Sequence, residues 1–243
     1  MKKIILLLII ISLNANSQIK FGIKGGLNLA DASAGINIKG KANFENITIN
    51  NGGGTINSSE SSLSTLNQTF YFATSPKISF YIGGFADINL NTKGNLQLRS
   101  ELLFCRNGTS IDKRDQPQDN EDFFNYSARG GYITLNELTI PILLKFTTKQ
   151  KISFLAGVNL AAVLTANFVE SNGLEMDAKS IIKPLDLGLN IGASYDINQN
   201  WTVEIRHNRG LFNKSKTKDS DQYFEIQSLL YNRTFHIGLE YKF

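Results

Sequence analysis

The sequence predicts an all-β protein: an eight-stranded antiparallel up-and-down transmembrane β-barrel with short periplasmic turns and long extracellular loops. Three observations lead there. Eight segments alternate apolar with polar or small residues at the two-residue period of a strand. The connections between them alternate short and long, as in outer-membrane barrels. The parity opposite the apolar one is too rich in small residues, and too mixed in charge, for a water-facing surface.

The 243 residues are 42% hydrophobic and 19% charged, too polar for a helical membrane protein. Lys2 and Lys3 precede an apolar run over 4–11, and Ala15 and Ser17 form a small-x-small cleavage site. Residues 1–17 are therefore expected to be a signal peptide for Sec-type export, and 18–243 the barrel domain. The run is shorter than the ~20 residues needed to span a bilayer, and no cysteine follows it to carry a lipid. Its removal lowers the formal charge from +4 to +2, which leaves nothing to favour nucleic acid. Cys105 is the only cysteine, which excludes a disulfide framework and a thiolate metal site.

The first strand covers 19–30, where Phe21, Ile23, Leu27 and Leu29 oppose Gly22, Lys24, Gly26 and Asn28. The second and third, 77–89 and 95–107, are joined through NLNTKG. The fourth, 132–147, contains Pro141, which removes a ladder hydrogen bond, so a bulge or kink is expected there. TTKQ leads to the fifth, 151–165, and INQN joins the sixth, 185–196, to the seventh, 201–210. The eighth closes the chain with Phe235, Ile237, Leu239, Tyr241 and Phe243 on one parity. The long connections, 31–76, 108–131, 166–184 and 211–230, all fall at the end away from the termini. The longest contains NNGGGTINSSESSLSTLNQ, expected to be a mobile external loop. The acidic residues of DKRDQPQDNED do not have calcium-loop spacing and read as a solvated cluster.

Which parity faces lipid is decided by the polar one. Glycine, serine and asparagine are interspersed there with Lys24, Asp87, Arg99, Glu101, Glu137, Lys145, Asp186, Glu204, Arg206 and Glu240, in both signs. A soluble lipocalin-like calyx would carry long charged side chains outside. An eight-stranded lumen has room only for a neutralised, mostly small filling. Asp87 and Arg99 flank a short turn and are expected to pair. Aromatics gather at the short-turn end (Phe21, Phe146, Tyr195, Trp201, Tyr241, Phe243) as a headgroup girdle.

These segments resemble the PorT-like outer-membrane β-barrel family of Bacteroidetes. Phe21-Gly22-Ile23-Lys24-Gly25-Gly26-Leu27-Asn28 is similar to its first-strand signature, and Glu137-Leu138-Thr139-Ile140-Pro141-Ile142-Leu143-Leu144-Lys145-Phe146 to its fourth-strand segment. Asp186 to Gly192 and Gly238 to Phe243 fit its later strands. The resemblance implies that Trp201, Tyr241 and Phe243 belong to a terminal signal read by the barrel-assembly machinery. It also implies a non-enzymatic protein with no cofactor, whose external loops meet a partner, as an accessory of envelope secretion. A lipid-modifying barrel enzyme is the alternative. Its candidate bases would be His207 on the lipid-facing parity and His236 on the inward one, and neither has a serine in a recognisable nucleophile motif nearby.

Overall fold

The computed structural model describes residues 19–43, 49–51, 54–56, 63–71, 74–111, 131–170, 173–216, 218–220 and 224–243. The expected signal peptide and the acidic stretch 112–122 lie outside the described residues. The strands are β1 (Lys20–Asn43), β2 (Ile49–Asn51), β3 (Gly54–Ile56), β4 (Leu63–Tyr71), β5 (Thr74–Asn89), β6 (Leu96–Ile111), β7 (Gly131–Thr147), β8 (Ile152–Glu170), β9 (Glu175–Asp177), β10 (Leu185–Asp196), β11 (Trp201–Gly210), β12 (Lys218–Ser220) and β13 (Phe224–Lys242). Eight of them, β1, β5, β6, β7, β8, β10, β11 and β13, pair antiparallel in that order, and β13 pairs back onto β1 to close the ring. Closure leaves no open edge, the condition for a sheet to sit in hydrocarbon.

Burial is inverted relative to a soluble protein. Phe21, Ile23, Leu27, Ile82, Ile142, Leu144, Ile191, Ile205 and Ile237 are exposed, while Lys24, Arg99, Glu101, Glu204, Arg206 and Glu240 are buried. This overturns the soluble-calyx alternative, because the apolar parity faces outward rather than lining a cavity.

The walls are taller than the sequence suggests. β1 does not end before Asp31 but runs to Asn43, paired with β13 as far as Gly40↔Phe224 and with β4 from Gly35↔Tyr71 to Asn43↔Leu63. β8 continues to Glu170, and β13 begins at Phe224 rather than near 231. The physical reason is a reversal of the alternation. Below Leu29 the outward residues of β1 are apolar; from Ala30 upward the inward ones are (Ala30, Ala32, Ala34, Ile38), and Asp31, Ser33, Asn37 and Lys39 face out. Outside the membrane the wall meets water, so the apolar parity turns inward.

Pro141 makes no bulge. Its pairing with Asn159 on β8 is in register, and on the β6 side the ladder skips from Ser100↔Ile142 to Leu103↔Thr139 without a shift. The two positions skipped are those that the missing proline N–H would have held. The bulge in β7–β8 lies instead at Asn136/Glu137, where Leu164 is the extra residue of β8; a second lies in β5 between Pro76 and Tyr81.

Gly26 and Gly238 face each other across the β1–β13 seam. A Cβ on Gly26 would lie 2.1 Å from the Ile237 carbonyl oxygen, and one on Gly238 would lie 2.0 Å from the Tyr81 hydroxyl. The seam thus closes only on side chains of zero size. Gly26→Val is expected to abolish the compact band that the unboiled barrel gives on SDS gels, whereas the neighbouring outward change Leu27→Val preserves it; a Gly26→Val protein that still shifts on boiling contradicts this account.

Candidate functional site

β1, β6, β11 and β13 each send long charged side chains into the lumen at one level. Lys24 Nζ donates to Glu101 Oε1 at 3.1 Å, Glu204 Oε1 at 2.7 Å and Glu240 Oε1 at 3.0 Å. Arg206 from β11 forks onto both Glu101 oxygens at 2.8 Å and reaches Glu204 at 2.6 Å. Arg99 Nη1 donates to Glu240, while its Nε and Nη2 hold Asp87 Oδ1 and Oδ2 at 2.6 and 2.8 Å. The guanidinium also lies 4.2 Å from the centre of the Phe85 ring. Lys145 adds a contact to Asp87 at 3.2 Å. Glu101, Glu204 and Glu240 converge as a metal site would, with oxygens within 4.8 Å of one another. The Lys24 ammonium occupies the position a cation would take.

A second cluster lies nearer the outside. Lys214, from the segment after β11, donates to Glu137, and its Nζ lies 3.3 Å from Asp186 Oδ2. Burial would lower the pKa of this lysine, but the two carboxylates more than offset it and hold the value above that of an ordinary lysine. Asn107 donates to Glu137 as well. Among the described residues the buried ionic groups are five cations and six carboxylates, so the lumen is close to neutral, as a low-dielectric filling requires.

Above this level the lumen is apolar. Ala32, Ala34, Leu135, Val163, Ala166 and Leu230 of the wall pack with Ala178 and Ile182 of the segment between β9 and β10. That segment is pinned down by the Ala178 N–H to the Ala166 carbonyl at 2.8 Å and joined to the 211–216 segment by Lys183 N–H to Lys214 O at 2.7 Å and Lys216 N–H to Ile181 O at 2.8 Å. The two segments form a lid. At the other end, an open basin of about 870 Å³ bordered by Lys20, Asp196, Lys242 and Phe243 reaches up to Asp87 and Lys145 and stops. The void beside Arg206, Asn159 and Asn208 measures only about 10 Å³, no more than one water needs. Among the described residues, the lumen between the basin and the lid is filled by side chains.

All ten charged residues singled out in the sequence lie in these clusters. The lid, Lys214 and the apolar plug have no counterpart in the sequence reading, because the segment after β11 shows no period that would reveal an inward side chain. Trp201 and Tyr241 are register partners with rings 5.0 Å apart, Tyr241 and Phe243 rings are 5.8 Å apart, and the Phe243 N–H donates to Phe21 O at 3.0 Å. They form one aromatic patch at the short-turn end. His236 is buried with its ring 4.9 Å from that of Tyr81, while His207 faces outward, so the two histidines lie on opposite sides of the wall.

A family model described as "Outer membrane protein beta-barrel domain" matches residues 14–216. No match to the chain is found among curated proteins. Solved structures of similar fold include Neisserial surface protein A, 13% identical, covering 92% of this chain and 97% of that one at a TM-score of 0.42. OprG from Pseudomonas aeruginosa is 11% identical, with coverage of 92% and 95% and a TM-score of 0.43. The outer-membrane protease OmpT from Escherichia coli is 14% identical, with coverage of 95% and 98% and a TM-score of 0.34. Likeness this distant assigns no activity.

Removing one member of the central cluster leaves its partners buried without a counter-charge. Arg99→Ala is expected to destabilise the barrel by about 3–5 kcal/mol, read as a lowered unfolding midpoint in detergent. An unchanged midpoint in Arg99→Ala contradicts the network's role.

Proposed function

The chain belongs to the outer membrane protein beta-barrel domain family, and we propose that it is a non-enzymatic outer-membrane barrel that anchors external loops for a protein partner, as an accessory of envelope secretion like its PorT-type relatives. It is an outer-membrane protein by family. Export through the 1–17 leader and recognition of the Trp201, Tyr241 and Phe243 end by the assembly machinery are part of the proposal.

One observation carries it: among the described residues the lumen is filled by opposed charges and capped by a lid, which leaves the external segments as the accessible chemistry. Aqueous barrels need about 16 strands. The lipid-modifying alternative would need a base and nucleophile within hydrogen-bond reach. His236 is enclosed, and His207 has no serine partner among the described residues.

Planar-bilayer recording of the refolded protein is expected to give no discrete conductance steps, and a lid variant, Lys214→Ala, to give at most brief ones. Mild cross-linking in the native envelope followed by co-purification is expected to recover a protein partner, lost when residues 44–62 are replaced by a short Gly-Ser link. Steady ion conduction by the unmodified barrel, or altered lipid A in a strain that overproduces it but not in one carrying His207→Ala, would overturn the reading.

A further inference from the structure

We propose that the extracellular rim of the outer wall holds the phosphorylated headgroup of an outer-leaflet glycolipid, gripped by Arg209 and Arg233 and flanked by Arg106 and Lys77. The proposal rests on the transmembrane orientation adopted above. Arg209 and Arg233 are direct register partners on β11 and β13, and both are exposed on the outward parity. Beneath them the same parity is lipid-facing: Val203 and Ile205 on one strand, Phe235, Ile237 and Leu239 on the other. They therefore stand at the upper limit of the apolar band, where headgroups lie, with His207 directly below Arg209.

Like charges opposite each other on neighbouring strands repel, so this pair needs an anion. Asp31 supplies half of one, 2.6 Å from Arg233. Its carboxylate is already shared with the Thr109 hydroxyl and the Ala32 amide. Arg209 has no carboxylate partner among the described residues. Further round the rim, Lys77 Nζ lies 2.9 Å from Thr134 Oγ1 and 3.6 Å from the centre of the Tyr132 ring, both on the outward parity of β7, and exposed Arg106 stands above Leu102 on β6. On the neighbouring β7 and β8, Asn136 and Thr165 are bonded to each other at 2.7 Å. Arg209, Arg233, Lys77 and Arg106 thus share the arc of neighbouring strands β11, β13, β1, β5 and β6.

A phosphate monoester accepts paired hydrogen bonds from planar guanidinium groups. A glycolipid also lays acyl chains down the apolar wall beneath, so one molecule meets both halves of the surface. Free phosphate would meet only the upper half.

The test uses the full mature chain in phosphatidylcholine nanodiscs, with insertion verified by its heat-dependent shift on SDS gels. Diphosphoryl lipid A and fully dephosphorylated lipid A are the probes, and retention is read by native mass spectrometry. The unmodified protein is expected to retain the diphosphoryl form selectively. The double variant R209Q/R233Q is expected to weaken retention about tenfold or more, the scale of two interfacial cations, and R209K/R233K to keep part of it. Equal retention of the dephosphorylated probe, or full retention by R209Q/R233Q, would overturn the proposal. Complete displacement by low millimolar inorganic phosphate would also overturn it, in favour of a free-ion site. A chain that shows no heat shift and enters no disc would instead sink the transmembrane orientation.

Discussion

Hydrocarbon accepts neither an unpaired backbone amide nor an isolated charge, and this single intolerance organises the molecule. The first requirement forces β1 onto β13, since an open edge would leave a row of unbonded donors and acceptors. The second forces every long ionic side chain in the membrane layer to the inside of that ring, where it must find its counter-charge at once. The two demands meet at the Gly26–Gly238 seam. There the strands approach closely enough to close, while Lys24 and Glu240, two residues further along each strand, enter the shared cluster.

The ionic filling is costly and still serves the fold. Desolvating so many charges gains little net stability, and apolar residues of equal volume could do as well in that respect. What the arrangement does supply is register. Arg99 binds Asp87 from the adjacent strand and Glu240 from across the lumen, so a slip of one strand by two residues would strand several charges together. Packing by leucine would tolerate such a slip more readily.

Much of this was legible in the sequence because a strand's period is two, so the parity of Lys24, Asp87, Arg99, Glu101, Glu137, Lys145, Asp186, Glu204, Arg206 and Glu240 follows from counting. Their partners do not follow. Lys24 meets Glu101 across a space whose width depends on the tilt and stagger of all eight strands, and counting along one strand says nothing of it. The upper wall is hidden from such counting for a different reason: at Asp31 the apolar parity changes sides, so a rule that demands one constant apolar parity stops where the solvent changes. Pro141 misled because a proline can be absorbed by omitting two ladder positions on one side, a cheaper solution than adding a residue.

The upward continuation of β1 and β13 has a mechanical meaning. From Asp31 to Asn43 the wall rises about 30 Å above the headgroups, given the rise per residue and the tilt of barrel strands. Hydrogen bonding to β4 and β13 makes it a braced mast and not a tether. A group carried at its summit is held at a fixed stand-off from the membrane, and a pull applied there would be delivered to the closing seam.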